Sequence, residues 1–478
     1  MPTSKEDNKT NQTTAETNAP TKDGSRVRRR IITALCLVVA VAVVDILLSL
    51  ALEPYGAHTE LVWNEYRVTD NMDTVLVGTS TTAYGLKPQS LDETLGSSSF
   101  NMGTPGQSFD NTLATLETAF RDHKIKRVVM SVGFETIIEV PYINSSIIFT
   151  QSKIQGEPPQ EALQDVSRLF FYDYYFGKQY SITALFPWTY DHVNPTPQDV
   201  AQNVRNRLEC DVFEAGQRYA QTNDPNWHYV GKGYGGYKES TIAAGTHGTP
   251  VTHHPDTNIL PSDVTLTALE RVFAFCKDRG IPLYVFGAPY TPSAVLAYGS
   301  RYTSGMELVR QMAERNGAHY FDLNMVDRSL YNPSIDCFWD HEHLTETGAE
   351  LTSRLVGQLV RRLEDGEDIR GLFYSYDEAG WDKYCESIDF VDWVEYAEKH
   401  DDSGVDITAI ASTGSKTAVE YRLLIQDPDT QQWVAQGDYG PSPDFRIEPE
   451  GRSSVNVRVC ARAVGSDQER WSEGPITF

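Results

Sequence analysis

The pattern of apolar and polar residues changes sharply near the start of the chain. Residues 1–30 are nearly free of apolar side chains and cannot bury enough surface to offset their ordering entropy, which predicts a disordered cytoplasmic tail. The following segment, Ile31 to Leu52, is an almost unbroken apolar run of 22 residues. Roughly 20 apolar residues suffice for a helix to cross a bilayer. The pattern therefore predicts one transmembrane helix near the N-terminus.

Charges on the two sides of this run indicate its orientation. Arg26 and Arg28–Arg30 come directly before it, and Glu53 follows it. Because positively charged flanks stay in the cytoplasm, the chain from Pro54 onward is predicted to lie outside the membrane. A cleavable signal peptide is the competing interpretation, but the run exceeds the usual length of about 7–15 residues and no A-x-A site follows it. The sequence favours an uncleaved single-pass anchor in the cell membrane.

Asp45 is an acidic residue inside the apolar run. A carboxyl group in hydrocarbon costs a few kcal/mol unless it is protonated or paired. One interpretation is contact with a partner membrane protein. The other is a neutral acid near the outer end of a slightly overlong helix, and the sequence leaves both open.

Beyond the anchor, strand and helix patterns alternate across residues 70–365. Short apolar runs, the first ending at Gly78, are typical of buried parallel strands, and apolar residues at helical spacing lie between them. This alternation predicts a three-layer α/β/α sandwich on a parallel, flavodoxin-like sheet, in a domain over residues 54–371. The predicted strands are Thr74–Val77, Arg127–Val132, Pro282–Gly287 and Ala318–Leu323, and the last predicted helix is Glu346–Leu363.

An insertion over about residues 142–261 interrupts this alternation. It has no clean period but is rich in aromatic residues. Such a long irregular stretch in a compact domain is usually a functional lid or cleft wall. An accessory helical subdomain with its own small core is the equal alternative, since aromatic residues more often pack than bind. The aromatic residues are Phe170, Phe171, Tyr172, Tyr174, Tyr175, Phe176, Trp188 and Tyr190.

The last part of the chain has a different pattern. Residues 372–404 form a connection, in which the apolar spacing between Val391 and Ala397 predicts a short helix. Residues 405–478 alternate strictly between apolar and polar, with turn signals between the runs, and predict a small β-sandwich. Through Tyr421 and Trp433 this part resembles the Tyr-rich and fibronectin-type modules of bacterial surface proteins, which implies a spacer in preference to a binding module.

Composition excludes some classes of function. The chain has 41 Lys and Arg against 66 Asp and Glu, a formal net charge of -25, and such an acidic protein repels phosphate backbones. Nucleic acid is therefore not an expected partner. The cysteines lack metal-like spacing, and the adjacent His253 and His254 point apart on an extended chain without a third ligand. No metal, other cofactor or disulfide framework is predicted.

Two short segments far apart in the sequence carry candidate catalytic residues. Gly78–Thr82 comes directly after the first strand, and Asp340–Leu344 directly before the last helix. Ligands of open α/β sheets bind outside the carboxyl ends of the strands, where both segments are predicted to lie. A serine becomes nucleophilic when an imidazole, oriented by a carboxylate, accepts its proton. These residue types predict Ser80 as the nucleophile, His343 as the base and Asp340 as its orienting carboxylate.

Two further observations bear on this assignment. His341 is a competing candidate for the base, although it is predicted to be exposed. A GxSxG nucleophile elbow is absent from the sequence, which argues against an α/β-hydrolase. The order of the serine and Asp/His segments within an α/β pattern is more specific than either segment alone.

The two segments resemble the blocks of the SGNH/GDSL hydrolase family, which has a serine block after the first strand and a DxxH block near the domain's end. The resemblance covers about residues 70–365. It is similar in particular to the membrane-anchored bacterial branch related to proteins of alginate O-acetylation and lipoteichoic-acid D-alanylation. In that branch the first block often reads GSS or GTS in place of GDS, as Gly78-Thr79-Ser80 does.

The resemblance extends to two more blocks. Asn101–Ser108 looks like the second block, and Gly106 matches the glycine whose N–H, with that of Ser80, would form the oxyanion hole. The third block departs from the family, because Gly133–Thr136 has Glu135 where the family usually has an Asn donor. An ionised Glu cannot donate a hydrogen bond, and losing one oxyanion donor costs about 10² to 10³ in rate.

The function implied by this resemblance is an O-acyl esterase or O-acyltransferase that modifies cell-envelope glycans or teichoic-acid-like polymers through an acyl-Ser80 intermediate. The altered third block favours transfer, which implies a multi-span acyl-donor membrane protein as a partner, with Asp45 as a candidate contact. The alternative is a catalytically silent fold that binds envelope polymer, which the missing third-block Asn motivates.

Overall fold

The structure, a computed structural model, describes residues 22–138, 143–171, 186–189, 192–242, 261–449 and 451–478. Some predictions concern residues outside these ranges. They are residues 1–21 of the predicted tail, the aromatic residues at 172–176 and 190, and His253 and His254.

Helices and strands alternate in the first four fifths of the chain, and strands make up the rest. The described helices are α1 (Lys22–Leu52), α2 (His58–Tyr66), α3 (Ser80–Ala83), α4 (Pro88–Leu95), α5 (Phe109–Asp122), α6 (Phe134–Ile138), α7 (Ile143–Ile154), α8 (Pro159–Phe171), α9 (Pro197–Glu209), α10 (Val212–Asn223), α11 (Asp263–Asp278), α12 (Pro292–Tyr298), α13 (Ser300–Arg315), α14 (Glu346–Glu364) and α15 (Glu378–Ser387). The described strands are β1 (Thr74–Val77), β2 (Ser99–Asn101), β3 (Arg127–Val132), β4 (Trp227–Gly231), β5 (Tyr234–Tyr237), β6 (Leu283–Gly287), β7 (His319–Asp322), β8 (Val391–Asp401), β9 (Gly404–Thr413), β10 (Val419–Gln426), β11 (Trp433–Ala435), β12 (Asp444–Ile447), β13 (Ser454–Ala463) and β14 (Glu469–Thr477).

The N-terminal helix α1 is long and apolar enough over Arg26–Leu52 to span a membrane. Its apolar side chains are exposed, as expected for a helix that lipid would surround. The prediction of a disordered tail is wrong for residues 22–30, which continue this helix. Arginine is a good helix former, and adding residues to an existing helix is easier than starting one. Which end faces the cytoplasm stays a prediction.

Five parallel strands form the central sheet, in the order β2-β1-β3-β6-β7. Consecutive residues of β1 face opposite sides: Val75 and Val77 pack with α5, α11 and α13, whereas Leu76 packs with α4 and α14. The α/β class with a parallel sheet and helices on both faces is confirmed. The order corresponds to the flavodoxin-like arrangement, in which ligands bind at the switch point between β1 and β3.

The described part of the insertion is largely helical. It contains α7 to α10 and the hairpin of β4 and β5. The hairpin reaches the central domain, because Tyr237 pairs with Thr345 directly before α14. The insertion is therefore an accessory helical part that also lies against the segment carrying Asp340 and His343.

The C-terminal part consists of two antiparallel sheets, β12-β9-β8 and β11-β10-β13-β14, packed around an apolar core. The predicted helix between Val391 and Ala397 is wrong, since these residues open strand β8. The sandwich therefore begins at Val391 and not at residue 405, and the helix of the connection is α15. All residues from Val391 to Val394 are buried, and burial on both faces hides the period of two that marks a half-buried strand.

His58 is buried among three aromatic rings at the start of α2. The rings of Tyr84, Trp227 and Tyr229 lie 5.6, 5.6 and 6.1 Å from the imidazole ring. The whole His58 residue is 9% exposed. Burial disfavours the charged form and lowers the pKa of His58 from 6.5 to about 4. The imidazole is therefore neutral in the folded protein at neutral pH.

This imidazole should make the fold sensitive to acid. The unfolded chain binds a proton at His58 near pH 6.5 and the folded protein only near pH 4, so the free energy of unfolding should fall as the pH decreases through this window. The expected contribution is about 3 kcal/mol. Denaturant titrations at both ends of the window should show a smaller acid-dependent loss in His58→Gln than in the wild type. The exposed His400 offers the control His400→Gln, and equal losses in all three proteins would contradict the prediction.

Candidate active site

Ser80 lies at the carboxyl end of β1, where the strand turns into α3. Gly78 in this turn has φ +144°, and a Cβ there would lie 2.2 Å from Thr82 Oγ1 and 3.0 Å from the carbonyl oxygen of Ser131. Glycine therefore lets the turn pass this close to β3. Ser80 is the first residue of α3, so its backbone N–H has no acceptor within the helix. Both its hydroxyl and its N–H lie at the sheet edge where ligands of open α/β folds bind.

Hydrogen bonds between side-chain hydroxyl groups hold this turn against the sheet. Ser131 Oγ lies 2.9 Å from Thr81 Oγ1 and 2.5 Å from Thr82 Oγ1. Thr82 Oγ1 also donates to the carbonyl oxygen of Val77 at 3.0 Å. Because these groups are buried or half-buried, their hydrogen bonds are strengthened by the low local dielectric. The network holds the residues on both sides of Ser80.

Asp340 and His343 share one tight loop before α14. Asp340 Oδ1 accepts hydrogen bonds from the backbone N–H of Glu342 at 2.8 Å and of His343 at 2.7 Å. The N–H of Trp339 donates to the carbonyl oxygen of His343 at 2.8 Å and closes the loop. With two residues between them on one loop, the carboxylate and the imidazole thus meet locally.

The structure brings Ser80, His343 and Asp340 into one hydrogen-bonded chain. Ser80 Oγ lies 2.7 Å from His343 Nε2, and His343 Nδ1 lies 3.0 and 2.9 Å from the two carboxylate oxygens of Asp340. A carboxylate only accepts hydrogen bonds, so it selects the tautomer protonated at Nδ1 and leaves Nε2 to accept the serine proton. The side chains of His343 and Asp340 are 17% and 35% exposed, so a ligand can reach them. Catalysis by these residues stays a prediction.

The surroundings of Asp340 favour its ionised form. Burial raises its pKa, but the charge and side-chain hydrogen bonds of His343, with the N–H groups of Glu342 and His343, hold the pKa of Asp340 below its usual value. The ionised carboxylate is the form that stabilises an imidazolium when His343 accepts a proton.

Gly106 lies in a tight turn after β2. The N–H of Gln107 donates to the carbonyl oxygen of Thr104 at 3.1 Å, and Gly106 inside this turn has φ +64°, which favours glycine. Asn101 connects the second block to the serine block, because its side-chain amide donates to the carbonyl oxygen of Thr82 at 2.8 Å. The two blocks are therefore neighbours. A contribution of Gly106 to an oxyanion hole stays a prediction.

Gly106→Ala should lower turnover more than it lowers stability. An added Cβ would lie 2.3 Å from Ser145 Oγ, and the left-handed φ costs an alanine about 1 kcal/mol, so the turn must shift. Displacing an oxyanion donor should reduce kcat by about 10²-fold or more.

Gly96→Ala is the matched control for this variant. Gly96 has φ +66°, and an added Cβ there meets no described atom within 4 Å. It should therefore cost similar stability and leave kcat unchanged. Equal kcat values for the two variants would exclude Gly106 as an oxyanion donor.

Glu135, at the third-block position, is a buried acceptor in α6. Its carboxylate accepts a hydrogen bond from the hydroxyl of Tyr298, which also lies 3.4 Å from the carboxylate of Glu342 in the Asp340–His343 loop. Burial and then the nearby negative charges raise the pKa of Tyr298, which therefore stays a protonated donor. Position 135 thus accepts a hydrogen bond where the SGNH/GDSL proteins that the sequence resembles have an Asn donor.

The prediction that His341 is exposed is wrong. It is 6% exposed, its Nδ1 lies 2.8 Å from the hydroxyl of Thr291, and its ring packs edge-on against Trp393 at 4.6 Å. Burial lowers the pKa of His341. The imidazole that contacts Ser80 is that of His343, so His341 is not placed as the competing base.

The contact with Trp393 joins the sandwich to the Asp340–His343 loop. Trp393 in β8 belongs to the same buried cluster as Phe338 and Leu344, which flank the loop. Its neighbour Asp392 accepts a hydrogen bond at 2.8 Å from a backbone N–H in α12. The C-terminal sandwich therefore packs directly on the candidate site.

Two aromatic rings contact the ring of His343, and a third packs behind them; none of the three was among the predicted site residues. The rings of Tyr84 and Trp339 lie 5.8 and 5.7 Å from that of His343. Tyr237, from the hairpin of the insertion, stacks on Trp339 at 3.8 Å. Trp339 is the sequence neighbour of Asp340, so its position beside the candidate site was predictable from the sequence. Tyr237 is distant in sequence, so only the tertiary structure reveals its position.

The described residues offer no metal site: among them, no group of three or more His, Cys, Asp or Glu side chains is placed to hold an ion. Cys210, Cys276, Cys337 and Cys460 are buried free thiols. For His253 and His254, which lie outside the described residues, the absence of a bound metal stays a prediction.

Comparison with known proteins does not assign the chain to a family. No protein-family model and no curated protein matches it. Among solved structures it is similar to a gut microbial diltiazem-metabolizing enzyme, with 11% identity over 80% of this chain and 74% of that chain and a TM-score of 0.27. It is also similar to the endo-beta-1,4-mannanase from Thermotoga petrophila, with 10% identity over 88% and 94% of the two chains and a TM-score of 0.15. TM-scores this low establish neither a shared fold nor a shared function.

Proposed function

We propose that this chain is a membrane-anchored serine enzyme that removes or transfers O-acyl groups of cell-envelope glycans outside the cell membrane. The observation that carries the proposal is the hydrogen-bonded chain from Ser80 through His343 to Asp340. A partly exposed serine beside an imidazole that a carboxylate orients is the arrangement that acyl transfer through a serine ester requires. The arginines in the N-terminal part of α1, directly before its apolar run, support an extracytoplasmic position for the site.

The reaction consists of two half-reactions. Ser80 Oγ attacks the carbonyl carbon of the acyl ester while His343 Nε2 takes its proton, and negative charge develops on the carbonyl oxygen. Collapse breaks the ester C–O bond, and His343 returns the proton to the leaving alcohol, which leaves acyl-Ser80. His343 then takes a proton from water or from a sugar hydroxyl as that oxygen attacks the acyl group. The second collapse releases the acid or the new ester and restores the Ser80 hydroxyl.

The nature of the acceptor rests on the motifs. Their resemblance to envelope-modifying SGNH/GDSL proteins supports a glycan or a teichoic-acid-like polymer as the acceptor. Glu135 in place of an oxyanion donor supports transfer over rapid hydrolysis. One donor fewer slows attack on the acyl-enzyme by every nucleophile, including water. A bound acceptor hydroxyl is held next to the acyl group and therefore reacts faster than water. Transfer requires an acyl donor, and the same resemblance supports a multi-span membrane protein that presents the acyl group in this role.

Trapping the acyl-enzyme tests the proposal. The full chain in nanodiscs is treated with a p-nitrophenyl acyl ester, quenched in acid, digested and mapped by mass spectrometry. Acylation of the peptide that contains Ser80 is the expected result, and the Ser80→Ala protein should carry no acyl group there. Adding an O-deacylated envelope glycan should shorten the lifetime of the acyl-enzyme and yield acylated glycan. A folded protein that is never acylated on Ser80 would refute the proposed enzymatic function.

A catalytically silent, polymer-binding protein is the second candidate. It is favoured by the hydrogen bond from Tyr298 to Glu135, because position 135 then accepts a hydrogen bond and does not supply an oxyanion donor. In that case envelope glycan should bind equally to the wild type and to Ser80→Ala, with no ester turnover in either protein. Acyl-Ser80 formation excludes this candidate.

A further inference from the structure

Asp45 has a partner within its own chain. Its carboxylate oxygen Oδ1 accepts a hydrogen bond at 2.9 Å from the indole N–H of Trp188. Trp188 lies in the short 3-10 turn Pro187–Thr189, and the ring of Phe186 lies 6.5 Å from its own ring. The carboxyl group inside the apolar helix is therefore paired with an aromatic side chain from the insertion.

The height of Trp188 along α1 follows from the helix geometry. Asp45 comes seven residues before Leu52, and a rise of about 1.5 Å per residue places it about 10 Å below the end of the helix. The chain after this turn returns to the helix end, because the N–H of Val193 donates to the carbonyl oxygen of Leu52 at 2.8 Å. The described turn Phe186–Thr189 thus lies beside the apolar part of α1 and not beside its end.

Polar contacts mark the level at which the apolar part of α1 ends. Asn203 in α9 donates to the carbonyl oxygens of Ala51 at 3.1 Å and Glu53 at 2.7 Å, and Arg207 donates to that of Glu53 at 2.8 Å. These side chains satisfy carbonyl groups that a helix end leaves without partners. The arginine lies at the level where lipid headgroups would be, as expected for a basic residue at a membrane surface.

We propose that Phe186–Thr189 is a second membrane-contacting element, which enters the outer leaflet beside α1 and is covered there by lipid acyl chains. An aromatic side chain with one polar atom suits the boundary between headgroups and acyl chains, and a depth of about 10 Å matches that of interfacial elements. The indole N–H also offsets the cost of Asp45 in the apolar layer. The proposal is independent of the enzymatic activity.

Two contacts with the membrane fix the orientation of the domain, which a single helix with a flexible connection would not do. The membrane end of the molecule is close to the candidate site. Tyr55 follows α1 and packs in the same cluster as Tyr84, whose ring contacts His343. The structure thus connects the membrane end of the molecule to the wall of the candidate site.

Depth-dependent quenching of tryptophan fluorescence tests the proposal. The full chain is reconstituted into phosphatidylcholine liposomes with bromine atoms near either the headgroup end or the methyl end of the acyl chains. The difference between wild type and Trp188→Phe isolates Trp188, and Trp433→Phe in the sandwich is the matched control. We expect quenching that disappears in Trp188→Phe, persists in Trp433→Phe and is stronger for the shallow bromines.

Three results would overturn the proposal. The first is equal quenching by brominated lipid in wild type and Trp188→Phe. The second is quenching of Trp188 by aqueous acrylamide and not by lipid, which would place it in water. The third is protection from both quenchers, which would show that protein, such as a second copy, covers it. A photoreactive group on the acyl chains provides a variant-free measurement, since it should label the 186–189 peptide of the wild type.

Discussion

Ser80→Ala and His343→Gln are each expected to reduce kcat for an activated ester by several orders of magnitude, on the order of 10⁶-fold when the triad acts as a unit. The reason is that the imidazole of His343, 2.7 Å from the Ser80 hydroxyl, accepts its proton, and neither group functions without the other. The double variant should therefore be no slower than the slower single variant. Steady-state and single-turnover rates with a chromogenic ester measure all three.

The control for these variants is His319→Gln, since His319 is half-buried at the start of β7 and outside the site. It should keep wild-type turnover. Multiplicative losses in the double variant would show that Ser80 and His343 act separately. Unchanged turnover in either single variant would remove that residue from the mechanism.

Asp340→Asn is expected to lower kcat by about 10⁴-fold while the fold is retained. An asparagine oxygen can still accept from the N–H groups of Glu342 and His343, which hold the loop together. Its amide group, however, donates to His343 Nδ1, so the imidazole proton moves to Nε2. A protonated Nε2 cannot accept the proton of Ser80.

Three measurements separate this effect from simple unfolding. Thermal unfolding should be close to that of the wild type for Asp340→Asn and lower for Asp340→Ala, which loses the loop hydrogen bonds as well. The exposed Asp336, in the preceding turn, supplies the control Asp336→Asn, which should retain full activity. Turnover of Asp340→Asn within tenfold of wild type would show that Asp340 does not orient the base.

Several features of the molecule were predictable from local sequence. The apolar run of α1 and the four sheet strands β1, β3, β6 and β7 were predicted because burial imposes a simple pattern on short segments. The contact between Asp340 and His343 was also predictable, since two side chains separated by two residues on one tight loop come together.

Other predictions failed where tertiary packing overrode the local pattern. Val391–Val394 look helical in sequence because the strand they open is buried on both faces between the two domains. His341, a polar residue in a loop, is buried because Trp393 of the sandwich and Thr291 pack against it. A sequence pattern reports the burial of a segment and not the identity of the element that buries it.

The sequence alone determined the helix that can span a membrane, the parallel α/β core and the residue types at the candidate site, because each depends on neighbours within one segment. Only the tertiary structure decided that Ser80 meets His343 across 263 residues, that Trp188 reaches Asp45, and that the insertion and the sandwich pack against the loop that carries Asp340 and His343. Contacts of this kind depend on how the elements pack against one another, and no periodicity within a single segment records that.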